Sequence, residues 1–199
     1  LFDSEPRTLT KERDTAEISV KIFPENATFR DIEFKCCTDN GVEISFAKVV
    51  SFDGNTATLK AFGDGKFRLR AYSKNGTDIP KIISELEYTA EGLGKAEKDP
   101  YIFIAACLCD FSNVPVTTID RGSLGGFNGR TTVGFSTVDF GGGTKKITIS
   151  VGNSGGGEDY PVELYLGDAD NGGRYIGTFA IKNNGGWDRA YPQTFDLPC

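Results

Sequence analysis

Thr56-Ala57-Thr58-Leu59-Lys60-Ala61, then Gly63-Asp64-Gly65, then Lys66-Phe67-Arg68-Leu69-Arg70-Ala71 is the stretch that decides the fold. In both flanking runs the apolar residues return every second position. That is the period of a strand with one face on a core and one in water. An amphipathic helix would return them at every third or fourth position instead. The glycines and aspartate between the runs are hairpin punctuation. Ile18, Val20 and Ile22 repeat the pattern upstream, alternating with Glu17, Ser19 and Lys21. Turn signals at Asp39-Asn40-Gly41, Asp53-Gly54-Asn55 and Asn75-Gly76 separate the runs. Short strands so spaced predict an immunoglobulin-like β-sandwich over residues 1–94, with 1–13 as a charged lead-in.

Gly92-Leu93-Gly94-Lys95-Ala96-Glu97-Lys98-Asp99-Pro100 breaks the alternation and reads as a linker. Beyond it the chain turns to Gly, Asn, Asp and Thr. Strand patterns resume at Ile147, Ile149 and Val151, at Val162, Leu164 and Leu166, and from Tyr175 to Ile181. Turns are expected at 153–157 and 168–173. The expectation is a second all-β domain over residues 95–199, a jelly roll. No stretch of helix length is amphipathic, so helix content should be very low.

Composition narrows the chemistry. The 199 residues carry a net charge of −6 and no basic stripe, so nothing here neutralises a phosphate backbone and nucleic acid is not an expected partner. No run approaches about 18 apolar residues, so no membrane-spanning helix is expected. The absence of histidine excludes His-ligated zinc, a Ser-His-Asp triad and a Cys-His dyad within this chain. Cys36, Cys37, Cys107, Cys109 and Cys199 are odd in number and poorly spaced for a disulfide framework. Unpaired thiols favour a reducing compartment such as a bacterial cytoplasm, whereas a sugar-binding role favours export. The chain starts without Met or leader and reads as an excised piece.

The lone tryptophan supplies the first functional candidate. Trp187 stands in Gly185-Gly186-Trp187-Asp188-Arg189-Ala190-Tyr191, just after Asn183 and Asn184. A flat indole covers the C–H face of a pyranose, and short polar side chains reach its hydroxyls. The alternative is a packing role, the commoner fate of a Trp.

The second half resembles a family 6 carbohydrate-binding module. The residues that carry this are Val133-Gly134-Phe135-Ser136-Thr137-Val138-Asp139-Phe140-Gly141, Lys146 to Val151, Pro161 to Leu166, Tyr175 to Phe179, and Gly185-Gly186-Trp187, spanning about residues 110–196. The first half resembles a bacterial Ig-like domain, through Ile22-Phe23-Pro24-Glu25-Asn26-Ala27-Thr28-Phe29 and Gly63 to Leu69. The join from Ile83 to Gly94 is similar to the stretch before such a module in bacterial family 2 glycoside hydrolases of β-galactosidase type. The resemblance implies a non-catalytic accessory region, with carbohydrate (an oligo- or polysaccharide) and the parent catalytic domain as partners. It implies Trp187 under the sugar and Tyr191 bounding the platform, with Asp188 and Asn184 bonding hydroxyls. Thr132 occupies the position of the family's second aromatic, which leaves Phe127 or Tyr191 as substitutes. The family's ligand-binding Asn and calcium-binding Asp would fall beyond Cys199, so the module reads as truncated at its C-terminus. No cofactor is expected beyond a doubtful structural calcium.

Other constellations have plainer readings. Glu163, Asp168, Asp170 and Asp188 are the acidic residues from which a glycosidase pair, about 5–9.5 Å apart, would be drawn. Asp168-Ala169-Asp170-Asn171-Gly172 echoes a calcium loop without its distal Glu, and reads as a solvated turn. Gly122, Gly125, Gly126 and Gly129 precede no helix and read as loop. Asn26 and Asn75 head N-x-T sequons. Fifteen Phe exceed two lean cores, which suggests a surface that packs on another domain, the structural-spacer alternative.

Overall fold

A computed structural model describes residues 1–2, 6–119, 122–154 and 158–198, with Arg189 in backbone only. Cys199 and residues 155–157 of the expected turn lie outside the described residues. The chain is all-β as the alternation predicts, and its helical content among the described residues is short 3-10 turns. It divides into two compact units, Leu1–Asp139 and Phe140–Cys199. The join expected after residue 94 therefore falls inside the first unit.

In the first unit, β2 (Thr15–Ser19), β5 (Thr56–Ala61) and β4 (Ala47–Phe52) form one sheet in the order β2-β5-β4. The second sheet is β1 (Thr8–Thr10), β7 (Ile82–Glu91), β6 (Gly65–Ser73) and β3 (Glu33–Cys37), in the order β1-β7-β6-β3. Chain order maps β2-β5-β4 onto the B-E-D strands of an immunoglobulin sandwich, and β3-β6-β7 onto C-F-G. The alternating residues supply the core. Ile18, Ala57, Leu59 and Ala61 come from one sheet, and Leu9, Cys36, Phe67, Leu69, Tyr88 and Ala90 from the other, all buried. Phe67 and Tyr88, directly opposite on β6 and β7, stack with centroids 5.8 Å apart.

The solvent face of β3-β6-β7 is closed by charge. Arg68 reaches Asp39 at 2.7 Å, Glu85 at 2.8 Å and Glu87 at 3.2 Å, and Arg70 reaches Glu85 at 3.0 Å. Gly65, at φ 151°, lies against the Phe46 ring, where a Cβ would come within 2.6 Å. A side chain there would be strained by the backbone angle and would have to displace the ring.

Two expectations change here. The lead-in contains β1, which pairs in parallel with β7 and buries Leu9. The expected linker is bound to the β5–β6 turn: the Leu93 N–H donates to Asp64 Oδ1 at 2.7 Å, and the Asp64 N–H donates to the Gly94 carbonyl at 2.7 Å. Leu93 packs on the core, so these residues close the sandwich.

The rest of the first unit is held to that framework by polar contacts. Thr137 Oγ1 donates to the Ala96 carbonyl, and the Lys98 N–H to the Thr137 carbonyl, both at 2.7 Å. The Lys98 ammonium meets Asp110 Oδ2 at 2.9 Å, with both side chains largely covered. Two short ribbons follow, β8 (Phe111–Ser112) with β11 (Val133–Gly134) and β9 (Thr117–Ile119) with β10 (Ser123–Gly125). Of the quoted run from Val133 to Gly141, only Val133–Gly134 is a strand.

The second unit is built from two antiparallel ribbons. β12 (Lys146–Asn153) pairs with β15 (Gly186–Asp196), and β13 (Tyr160–Leu166) with β14 (Arg174–Ile181). Phe179 on β14 and Phe195 on β15 bring the ribbons together, with ring centroids 5.1 Å apart. Strands thus stand at all three places where alternation resumes.

Candidate functional site

Gly185 takes φ 80°, which turns the chain out of the loop after β14 and into β15. β15 then runs beside β12 with an interruption: Val151 faces Tyr191, whereas Asn153 faces Gly186. Residues 187–190 therefore bulge opposite Gly152, and a bulge re-aims side chains from the regular alternation. Gly152 makes this approach possible. A Cβ there would stand 2.9 Å from the Trp187 carbonyl oxygen and 3.1 Å from that of Gly186.

The bulge carries two of the five predicted residues, Trp187 and Asp188, and Tyr191 follows it where pairing with β12 resumes. Trp187 is 71% exposed and Tyr191 50% exposed, and Asp188 is also exposed. An indole left in water with no ring partner among the described residues contributes little to the fold.

Asn184 is used differently. Its Oδ1 accepts from the Asn153 N–H at 2.9 Å and its Nδ2 donates to the Val151 carbonyl at 3.0 Å. The amide thus pins the loop to β12 and holds the entry to the bulge. Phe127, 53% exposed, belongs to the first unit, between β10 and β11.

The strands around the bulge share polar contacts that the sequence did not announce. Asn153, buried, donates through Nδ2 to the carbonyls of Ile181 (3.2 Å) and Glu158 (3.3 Å). Gln193 grips the backbone of Lys182 with both amide atoms, accepting at 2.8 Å and donating at 3.2 Å. Lys182 closes an ion pair with Asp159, whose carboxyl is held below its ordinary range by that hydrogen bond. A buried Asn has no sequence pattern of its own, and its partners are revealed only by the fold.

A second aromatic pair also escaped the sequence reading. Tyr165 and Tyr175 face each other across β13 and β14, edge to face at 5.5 Å. The Tyr165 hydroxyl donates to Glu163 Oε2 at 2.8 Å, which raises its pKa. Alternation placed both tyrosines in strands, but only the register of β13 on β14 brings them opposite each other.

The acidic residues behave as surface groups. Asp168 accepts from Asn171 Nδ2 at 2.6 Å and from the Asp170 N–H at 2.9 Å, and these bonds hold its carboxyl below the usual range. With Gly172 left-handed at φ 83°, this is a self-bonded turn. Among the described residues no group of three or more Asp, Glu or Cys side chains is placed to hold a metal. The carboxyls displaced from their ordinary values, Asp31, Glu33, Asp53, Asp110, Asp159 and Asp168, are all displaced downward.

The first unit contains a concave feature that none of the five predicted residues lines. A groove of about 950 Å³ runs along the edge strands β3 and β4, with Phe34, Cys36, Val49, Phe52, Phe62 and Ile102 in its wall. Beside it Tyr101, Ile102 and Phe103 are successive exposed apolar residues.

No protein-family model matches this chain, and neither the curated proteins nor the solved structures yield a match.

Proposed function

We propose that this chain is a non-catalytic accessory region of a glycoside hydrolase, and that it binds glycan weakly through the bulged strand β15. The observation that carries the reading is the exposed indole of Trp187 on a bulge whose entry Asn184 pins to β12. Trp187 stacks on a pyranose face, Asp188 accepts from hydroxyls, and Tyr191 borders the platform. Asn184 contributes by fixing the loop rather than by touching sugar. One stacked ring and a few exposed hydrogen bonds suit an affinity of about 0.1 mM, equivalent to about −5.5 kcal/mol.

Titration calorimetry of the chain and of Trp187→Ala against galactosides, xylan and β-glucan oligosaccharides tests this. Binding by the chain and its loss in a variant with an unchanged melting profile are expected. Absence of heat with every sugar overturns the glycan reading. The spacer reading then stands in its place, and the exposed apolar run Tyr101-Ile102-Phe103 is what favours it.

A further inference from the structure

The chain contains five Asn-Gly pairs: Asn40-Gly41, Asn75-Gly76, Asn128-Gly129, Asn171-Gly172 and Asn184-Gly185. In such a pair the glycine nitrogen can attack the asparagine side-chain amide, because glycine has no side chain to obstruct the approach. The reaction needs a mobile Asn amide and an uncommitted Gly N–H. Hydrogen bonds to either therefore slow it.

Four of the pairs are restrained. The Gly41 N–H donates to the Thr38 carbonyl at 2.9 Å. Asn128 Oδ1 accepts from the Arg130 N–H at 3.1 Å. Asn171 Nδ2 donates to Asp168 at 2.6 Å. Asn184 is held through both amide atoms, and the Gly185 N–H donates to Asn183 Oδ1 at 2.8 Å.

Asn75-Gly76 differs from all of these. It lies at the exposed tip of the β6–β7 hairpin, with Asn75 left-handed at φ 49° and Gly76 at φ 74°. Asn75 uses its backbone N–H on Ser73 Oγ, while its side-chain amide and the Gly76 N–H have no hydrogen-bond partner among the described residues. We infer that Asn75 is the chain's site of spontaneous modification, converting to aspartate and isoaspartate with water as the only co-reactant.

The step balances without an oxidant or a catalyst. The Gly76 nitrogen bonds to Asn75 Cγ, the Cγ–Nδ2 bond breaks, and ammonia leaves with the proton from the Gly76 nitrogen. Water then opens the resulting succinimide at either carbonyl. The products add a negative charge near Asp78, and the isoaspartate form adds a methylene to the main chain of the turn. The sequon at Asn75 is lost in both.

The test is ageing of the folded chain in mildly alkaline buffer, followed by trypsin and mass spectrometry. Cleavage after Lys74 and Lys81 isolates residues 75–81. That peptide should convert at least about fivefold faster than each peptide carrying another Asn-Gly pair, the rate equivalent of one hydrogen bond retained. In urea the spread should collapse, because the five pairs then differ only in flanking sequence. Asp168→Ala should speed Asn171 by a similar factor. Equal rates in the folded chain, or the same ranking in urea, would overturn the inference.

Discussion

The two units use different means to hold antiparallel strands together. In the first, the inner face is a continuous apolar cluster from Leu9 to Ala90, and the ring pair Phe67–Tyr88 joins neighbouring strands within it. In the second, Phe179 and Ile181 are the buried apolar residues among those described, and the buried Asn153 sits beside them. Backbone-to-amide bonds from Asn153, Asn184 and Gln193 occupy the place that methyl groups fill in the sandwich. Apolar burial is non-directional and tolerates small shifts. An amide network is directional and fixes where a strand stops, which is the property a bulge such as 187–190 depends on.

The largest break in that comparison should come from the apolar side. Leu59→Ala, at a fully buried position in the middle of β5, should destabilise the first unit by about 2–5 kcal/mol in urea unfolding. Hydrogen exchange should localise the loss to β2 through β7. A cost no larger than that of a surface substitution would mean the cluster is loosely packed.

Asn153→Ala comes next. It leaves the carbonyls of Ile181 and Glu158 without their donor, at about 1–3 kcal/mol. Exchange should rise in β12, β14 and β15 while β5 and β6 stay protected. The same variant should weaken any glycan binding by disordering the bulge, even though Asn153 itself is buried.

A pH dependence peculiar to the first unit emerges only in alkaline solution and leaves neutral stability unchanged. Burial pushes the Cys36 thiol up to about 12 from an ordinary 9.0 and raises Cys37 as well. As pH rises through about 9 the unfolded chain gives up these protons first and the folded chain holds them. The unfolded state thus binds fewer protons, and stability falls between pH 9 and 12. The slope is up to about 1.4 kcal/mol per pH unit for each thiol. Urea midpoints across that window should fall, and should fall less steeply in Cys36→Ala. An unchanged slope in the variant would mean the thiol is not protected by the core.

How much of this was legible depended on whether a residue's role lies in its own side-chain pattern. Ala57, Leu59 and Ala61, and Phe67, Leu69 and Ala71, alternate in sequence and are buried. Alternation is a local property of a half-buried strand. β1 was not legible because three residues bury only Leu9, and one buried residue has no period. The segment after Glu91 read as a linker because glycine and charge signal turns, but nothing local says that Asp64 will bond to it. At the candidate site the exposed Trp187 was legible as an oddity of composition. The commitment of Asn184 to the backbone was not, since an amide offers the same groups to a sugar and to a strand.

β1 has a mechanical consequence. It runs parallel to β7, with Thr8 beside Thr89 and Thr10 beside Glu91. Tension applied at residue 8 and at residue 91 pulls these two strands along their lengths in opposite directions. Their hydrogen bonds are then strained together in shear, not opened one at a time like a zip. A three-residue strand thus resists a pull between residues 8 and 91 with its hydrogen bonds loaded together.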